Sequence, residues 1–229
     1  MRISRKNKWN WPLLAAGAVM FGLAGALPAA AQGLRQEPVS EASRNPEFAA
    51  WLAALLEAVR HRDTDYVVAR ADANIKLSFG DDYGRDSFRQ ALTGDEEGQG
   101  EVYWRELQTV LELGGVFMDD GAFCTPYLAC IDVPGCPECD PYETVFVIRP
   151  DAVARTKPDA GAKAVAKLSW NVLQLDYEAA GAEGWYPVKL PDGRTAYLSN
   201  QDSRMPVDYR ARFEKTAKGW RMTVFIAGD

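Results

Sequence analysis

One histidine, His61, stands in a chain of 229 residues, and four cysteines are its only thiols. His61 lies between Arg60 and Arg62 at the end of a helical pattern, where cations are favoured by the helix dipole. It reads as a helix-end cation rather than a catalytic base. With it so committed, the chain offers no Ser-His-Asp or Cys-His arrangement and no His/Asp/Glu metal cluster. It has no P-loop and no dinucleotide fingerprint after a strand. Basic charge is also short. Lys and Arg number 26 against 32 Asp and Glu, for a net charge of −6. That balance argues against nucleic acid and against anionic lipid surfaces as partners.

Residues 1–31 read as a secretion signal. Arg2, Arg5, Lys6 and Lys8 give a positive start, residues 11–27 an apolar run rich in Ala and Gly, and Ala29-Ala30-Ala31 a small-residue cleavage pattern before Gln32. A membrane anchor is the competing reading, but the run is short and ends at a good cleavage site. No Cys follows it, which excludes a lipoprotein. Its four bases and lack of acids make the mature charge −10. The expectation is a periplasmic or secreted protein with no stable membrane anchor.

Residues 32–44 are polar and aperiodic and read as a flexible leader. Asn45-Pro46-Glu47 then supplies a cap, a proline at the first helical position and an acid in the first turn. Phe48, Trp51, Leu52, Leu55, Leu56 and Val59 follow as one apolar stripe. A shorter helix begins at Asp63, a strand covers residues 75–79, and helices cover 84–92 and 102–113, the last ended by Gly114-Gly115. Near the C-terminus two alternating runs around Ala217-Lys218-Gly219 predict an antiparallel hairpin, with Trp220, Met222, Val224 and Ile226 sharing a face. A hairpin alone is not stable in water. It either returns to the domain of residues 45–145, making the segment between an insertion, or widens the sheet of that segment.

Residues 146–205 are a series of short strands bounded by turns. Ala152-Val153-Ala154-Arg155, Val165-Ala166-Lys167-Leu168, Gly184-Trp185-Tyr186-Pro187-Val188 and Thr195-Ala196-Tyr197-Leu198 occur in the order of the bacterial SH3 family, which this quarter or so of the chain resembles. The usual Asn of the opening strand is absent, and Ala196 replaces the usual Gly before Tyr197. The resemblance implies a small β-barrel that binds cell-wall peptide or a partner protein in the envelope. The helix–helix–strand–helix order of residues 45–113 resembles the nuclear-transport-factor-2-like cone fold, which implies a pocket. The expected architecture is α+β: a helix-rich N-terminal domain, an SH3-like barrel, and a C-terminal hairpin of residues 206–229 completing the N-terminal domain.

Trp170, Tyr177, Trp185 and Tyr197 read as a candidate aromatic groove beside acids; the competing reading is that these rings cap a small barrel. Cys124, Cys130, Cys136 and Cys139 allow three disulfide pairings, and proximity favours Cys124–Cys130 and Cys136–Cys139. Redox and zinc roles for the Cys136/Cys139 pair are weaker, because prolines crowd it and only one knuckle is present. Asp81-Asp82 and Asp119-Asp120 are carboxylate pairs in turn contexts, where Asp is common for backbone reasons. The sequence implies no cofactor and no catalytic residue. Recognition of cell-wall peptide or an envelope protein is the expected role, with an enzymatic or small-ligand-binding N-terminal domain as the alternative.

Overall fold

A computed structural model describes residues 33–94, 98–133, 135–137 and 139–228. The expected signal segment lies outside the described residues. Four helices come first or early: α1 (Pro46–Arg60), α2 (Thr64–Arg70), α3 (Arg85–Thr93) and α4 (Gln99–Glu112). Strand β1 (Ala71–Lys76) lies between α2 and α3, and β2 (Val116–Phe117) and β3 (Phe123–Thr125) follow α4. The start of α1 follows its sequence: the Asn45 side chain accepts from Phe48 N at 3.1 Å and Pro46 occupies the first turn. Asp63 caps α2 in the same way, accepting from Tyr66 N at 3.0 Å.

The C-terminal strands β11 (Arg210–Thr216) and β12 (Gly219–Ile226) complete this first lobe. Its five-stranded sheet runs β1-β12-β11-β3-β2, with β12 parallel to β1 and the other pairs antiparallel. One core joins the helices to the sheet, from Phe48, Leu55 and Val59 on α1 to Phe213, Trp220 and Phe225 on the hairpin. The Phe48 and Trp220 rings are 4.6 Å apart. Chain segments more than a hundred residues apart therefore share one core, and the segment between them is inserted.

The expected alternation of β12 holds for only half its length. Phe213 pairs with Met222 but Arg212 pairs with Val224, so Thr223 is an extra residue, a β-bulge. Beyond it the faces exchange: Phe225 is fully buried in the core with Trp220 and Met222, and Val224 is left half-buried. A one-residue insertion in a period-two strand moves every later side chain to the opposite face.

The second lobe contains β4 (Thr144–Val147), β5 (Ala152–Arg155), β6 (Ala164–Leu168), β7 (Val172–Leu175), β8 (Trp185–Lys189), β9 (Thr195–Ser199) and β10 (Ser203–Arg204). They form a single sheet in the order β10-β4-β7-β8-β9-β5-β6. Val145 on β4 and Leu168 on β6 lie near opposite ends of that order yet share one core with Ala154, Val188 and Leu198. The sheet thus curls around its core, but it is not the closed barrel expected from sequence. Both sides of β4 are already occupied, by β10 and β7, and the two-residue β10 is an edge.

A third apolar cluster, including Tyr127, Leu128, Phe146 and Val172, joins the lobes. The segment expected as a flexible leader is built into this joint. Gln36 N donates to Trp170 O and Val172 N to Leu34 O, both at 2.8 Å, and Glu41 N donates to Gly115 O at 2.9 Å. Gly114 and Gly115 permit the close approach. A side chain on Gly115 would come within 2.0 Å of Cys124 O, and one on Gly114, at φ +76°, within 2.6 Å of Val39 O.

Candidate functional site in the cleft between the lobes

The α4 helix has two working faces. Trp104, Leu107, Val110 and Leu111 are buried in the first lobe. Val102, Arg105, Glu106 and Thr109, spaced i, i+3, i+4 and i+7, line a cleft of about 570 Å³ against the second lobe. Its opposite wall comes from Arg149 after β4, Asn200 and Gln201 in the β9–β10 turn, Arg204 on β10 and Tyr186 on β8. Asp208 and Tyr209, in the connection to β11, close one side.

Arg204 is 5 % exposed. Its Nη1 donates to Glu106 Oε2 at 2.7 Å and its Nη2 to Tyr209 O at 3.3 Å, so one guanidinium ties the lobes together. Its Nε is buried and has no hydrogen-bond partner among the described residues. Such a donor is costly to leave unmade. Asp208 is used differently: it accepts from the Tyr186 hydroxyl at 3.0 and 3.2 Å and from Met205 N at 2.8 Å. Burial, reinforced by the neighbouring Asp208 carboxylate, raises the Tyr186 pKa well above the ordinary tyrosine value. Burial and then Glu106 raise that of Tyr209. Both phenols are therefore protonated at neutral pH and act as neutral hydrogen-bonding groups. Arg149 is exposed with no ion-pair partner among the described residues, and the Arg105 side chain, 64 % exposed, is 3.8 Å from an already engaged Glu106.

The aromatic residues singled out from sequence do not converge. Trp185 and Tyr197 share the outer face of β8 and β9, but Trp185 pairs with Ser199 and Tyr197 with Pro187, so the two are diagonal neighbours. Trp170 sits in the β6–β7 turn with a left-handed φ of 61°. Tyr177, 63 % exposed in the β7–β8 loop, donates its hydroxyl to Tyr142 O. None of these four rings stacks on another among the described residues.

The four cysteines form the pairs that proximity favoured, Cys124–Cys130 and Cys136–Cys139, with Cα separations of 5.9 and 5.3 Å. Two disulfides fit an oxidising, extracytoplasmic compartment. Among the described residues no helix is long and apolar enough to cross a membrane, and no group of His, Cys, Asp or Glu is arranged to hold a metal. Asp120 is engaged structurally, accepting from Ala122 N at 3.1 Å and from Arg212. His61 caps its helix end, with Nδ1 2.9 Å from Glu57 O.

The core of the first lobe is rich in aromatic side chains, among them Phe48, Phe88, Trp104, Phe123, Phe213, Trp220 and Phe225. Thr125 is its only buried polar residue among the described residues, so no carboxylate is buried there. Among the described residues the buried carboxylate, Asp176, belongs to the second lobe. It accepts from Thr195 Oγ1 at 2.5 Å and pairs with Lys189 Nζ at 2.6 Å, fastening β9 and β8 to the end of β7. The cleft residues were missed from sequence. The polar spacing of Val102, Arg105, Glu106 and Thr109 was the available signal on α4; Arg204 carried none. No family model matches this chain, and no curated protein matches it.

Proposed function

We propose that this protein is an exported recognition factor of the cell envelope that binds cell-wall peptide or a partner protein in the cleft between its lobes. The observation that carries the reading is the cleft itself. Both lobes present hydrogen-bonding side chains to one volume there, with Arg204 as a fixed floor and the exposed Arg105 and Arg149 at the rim. The strand order resembling bacterial SH3 modules and the two disulfides support an envelope setting. The groups on the cleft wall bind and orient: they are arginines, amides, protonated phenols and the carboxylates of Glu106 and Asp208, which already accept hydrogen bonds from the protein. A second reading places recognition on the outer face of β8 and β9, where Trp185 lies near Pro187 and Tyr197.

Co-sedimentation with isolated peptidoglycan sacculi separates the two. Retention that is lost in an Arg105→Gln/Arg149→Gln variant and kept in Trp185→Ala supports the cleft. The reverse pattern moves the site to the outer face, and absence of retention by the unmodified protein removes the wall as ligand.

A further inference from the structure

We infer that the cleft selects an anion, and specifically the carboxylates of an acidic peptide; this rests on the cleft being the binding site. Glu106 is taken by Arg204, and Asp208 by Tyr186 and Met205 N. Each acid lining the cleft thus already accepts from a donor of the protein. The donors are in surplus: among the described residues Arg149 has no ion-pair partner, Arg105 has only the 3.8 Å approach to Glu106, and the buried Nε of Arg204 has no hydrogen-bond partner. Three guanidinium groups against two carboxylates leave a local positive excess in a chain of net charge −6. Low-dielectric walls concentrate such a field. Guanidinium forks match a carboxylate in two parallel hydrogen bonds. Asn200 and Gln201 beside them carry amides that pair with peptide backbone groups, which favours a peptide over a bare anion.

The test uses the purified protein and two short peptides, acetyl-Ala-Glu-Ala with its free carboxylates and acetyl-Ala-Gln-Ala-amide with none, followed through the arginine Nε–H resonances by NMR. The acidic peptide shifts the Arg204 Nε–H signal and binds about tenfold or more tighter than the amide, as expected for one or more charge-assisted hydrogen bonds. Arg149→Gln, an exposed substitution that leaves the Arg204–Glu106 pair intact, weakens the acidic peptide by roughly tenfold and leaves the amide unchanged. Added salt weakens the acidic peptide alone. Equal binding of both peptides, an unmoved Arg204 signal, or inorganic phosphate binding more tightly than the acidic peptide overturns the inference. If the peptides fail while sacculi are still retained through the cleft, the ligand class is wrong and the site stands. If sacculi are not retained either, the wall is removed as ligand together with the acidic-peptide inference.

Discussion

Arg204 and Glu106, 98 residues apart in the chain, meet at 2.7 Å across the boundary between the two lobes. Arg204 is almost wholly buried and the Glu106 side chain is 19 % exposed. Losing one partner leaves the other charge poorly solvated. Arg204→Met should therefore destabilise the protein by about 3 kcal/mol, and a second change, Glu106→Leu, should restore most of that loss. Urea unfolding of the single and double variants measures it. A double variant no more stable than Arg204→Met would mean that the pair is not what couples these positions.

The bulge at Thr223 makes a contrast between neighbours. Phe225 fills the core of the first lobe and Val224 is half-buried on the other face. Phe225→Ala should cost about 3–4 kcal/mol and Val224→Ala about 1 or less. Thermal or urea unfolding ranks them, and the opposite order would restore the plain alternation and remove the bulge.

Acid should loosen the second lobe through Asp176. Hydrogen bonds from Lys189 and then Thr195 hold its pKa below the ordinary 3.8. A carboxyl whose pKa falls on folding contributes stability that is present above the unfolded value and lost as pH drops through the folded one. The stability gap between the unmodified protein and Asp176→Asn should be constant above about pH 5 and shrink below about pH 4. A gap unchanged down to about pH 2.5 would contradict the ion pair.

Alkali should act through the buried phenols. Burial raises the Tyr127 pKa from the ordinary 10.0 to about 12. Here the sign reverses: the contribution is complete below pH 10.0 and disappears as pH rises through about 12. Absorbance at the tyrosinate band should show cooperative unfolding accompanying the ionisation of Tyr127. Tyr127→Phe should retain more of its neutral-pH stability at high pH than the unmodified protein does, and equal losses in the two would contradict this.

Helices and the hairpin were legible in the sequence because their signals are local. The stripe from Phe48 to Val59 has helical spacing and a side-chain cap, and the runs flanking Lys218-Gly219 alternate. The return of the hairpin to the first lobe followed from a physical need, since its apolar faces require cover. The bulge at Thr223 was not legible, because an extra residue changes the side-chain phase without changing the composition of the strand. The open edge of the second sheet was hidden for a similar reason: closure depends on which strands occupy the two sides of β4, and β10 is only two residues long. The cleft was least visible of all. Arg149 and Arg204 are ordinary surface-type residues in sequence, and only the meeting of α4 with the second lobe, through Glu106 and Arg204, gives them a common volume.

Arginine-specific footprinting tests whether ligand enters between the lobes. The protein would be treated with phenylglyoxal, with and without saturating soluble fragments of sacculi, and each arginine scored by mass spectrometry. Arg105 and Arg149 should become protected while Arg44 and Arg89, exposed elsewhere on the first lobe, react as before. Bound fragments that leave Arg105 and Arg149 fully reactive would contradict entry between the lobes and place recognition outside the cleft.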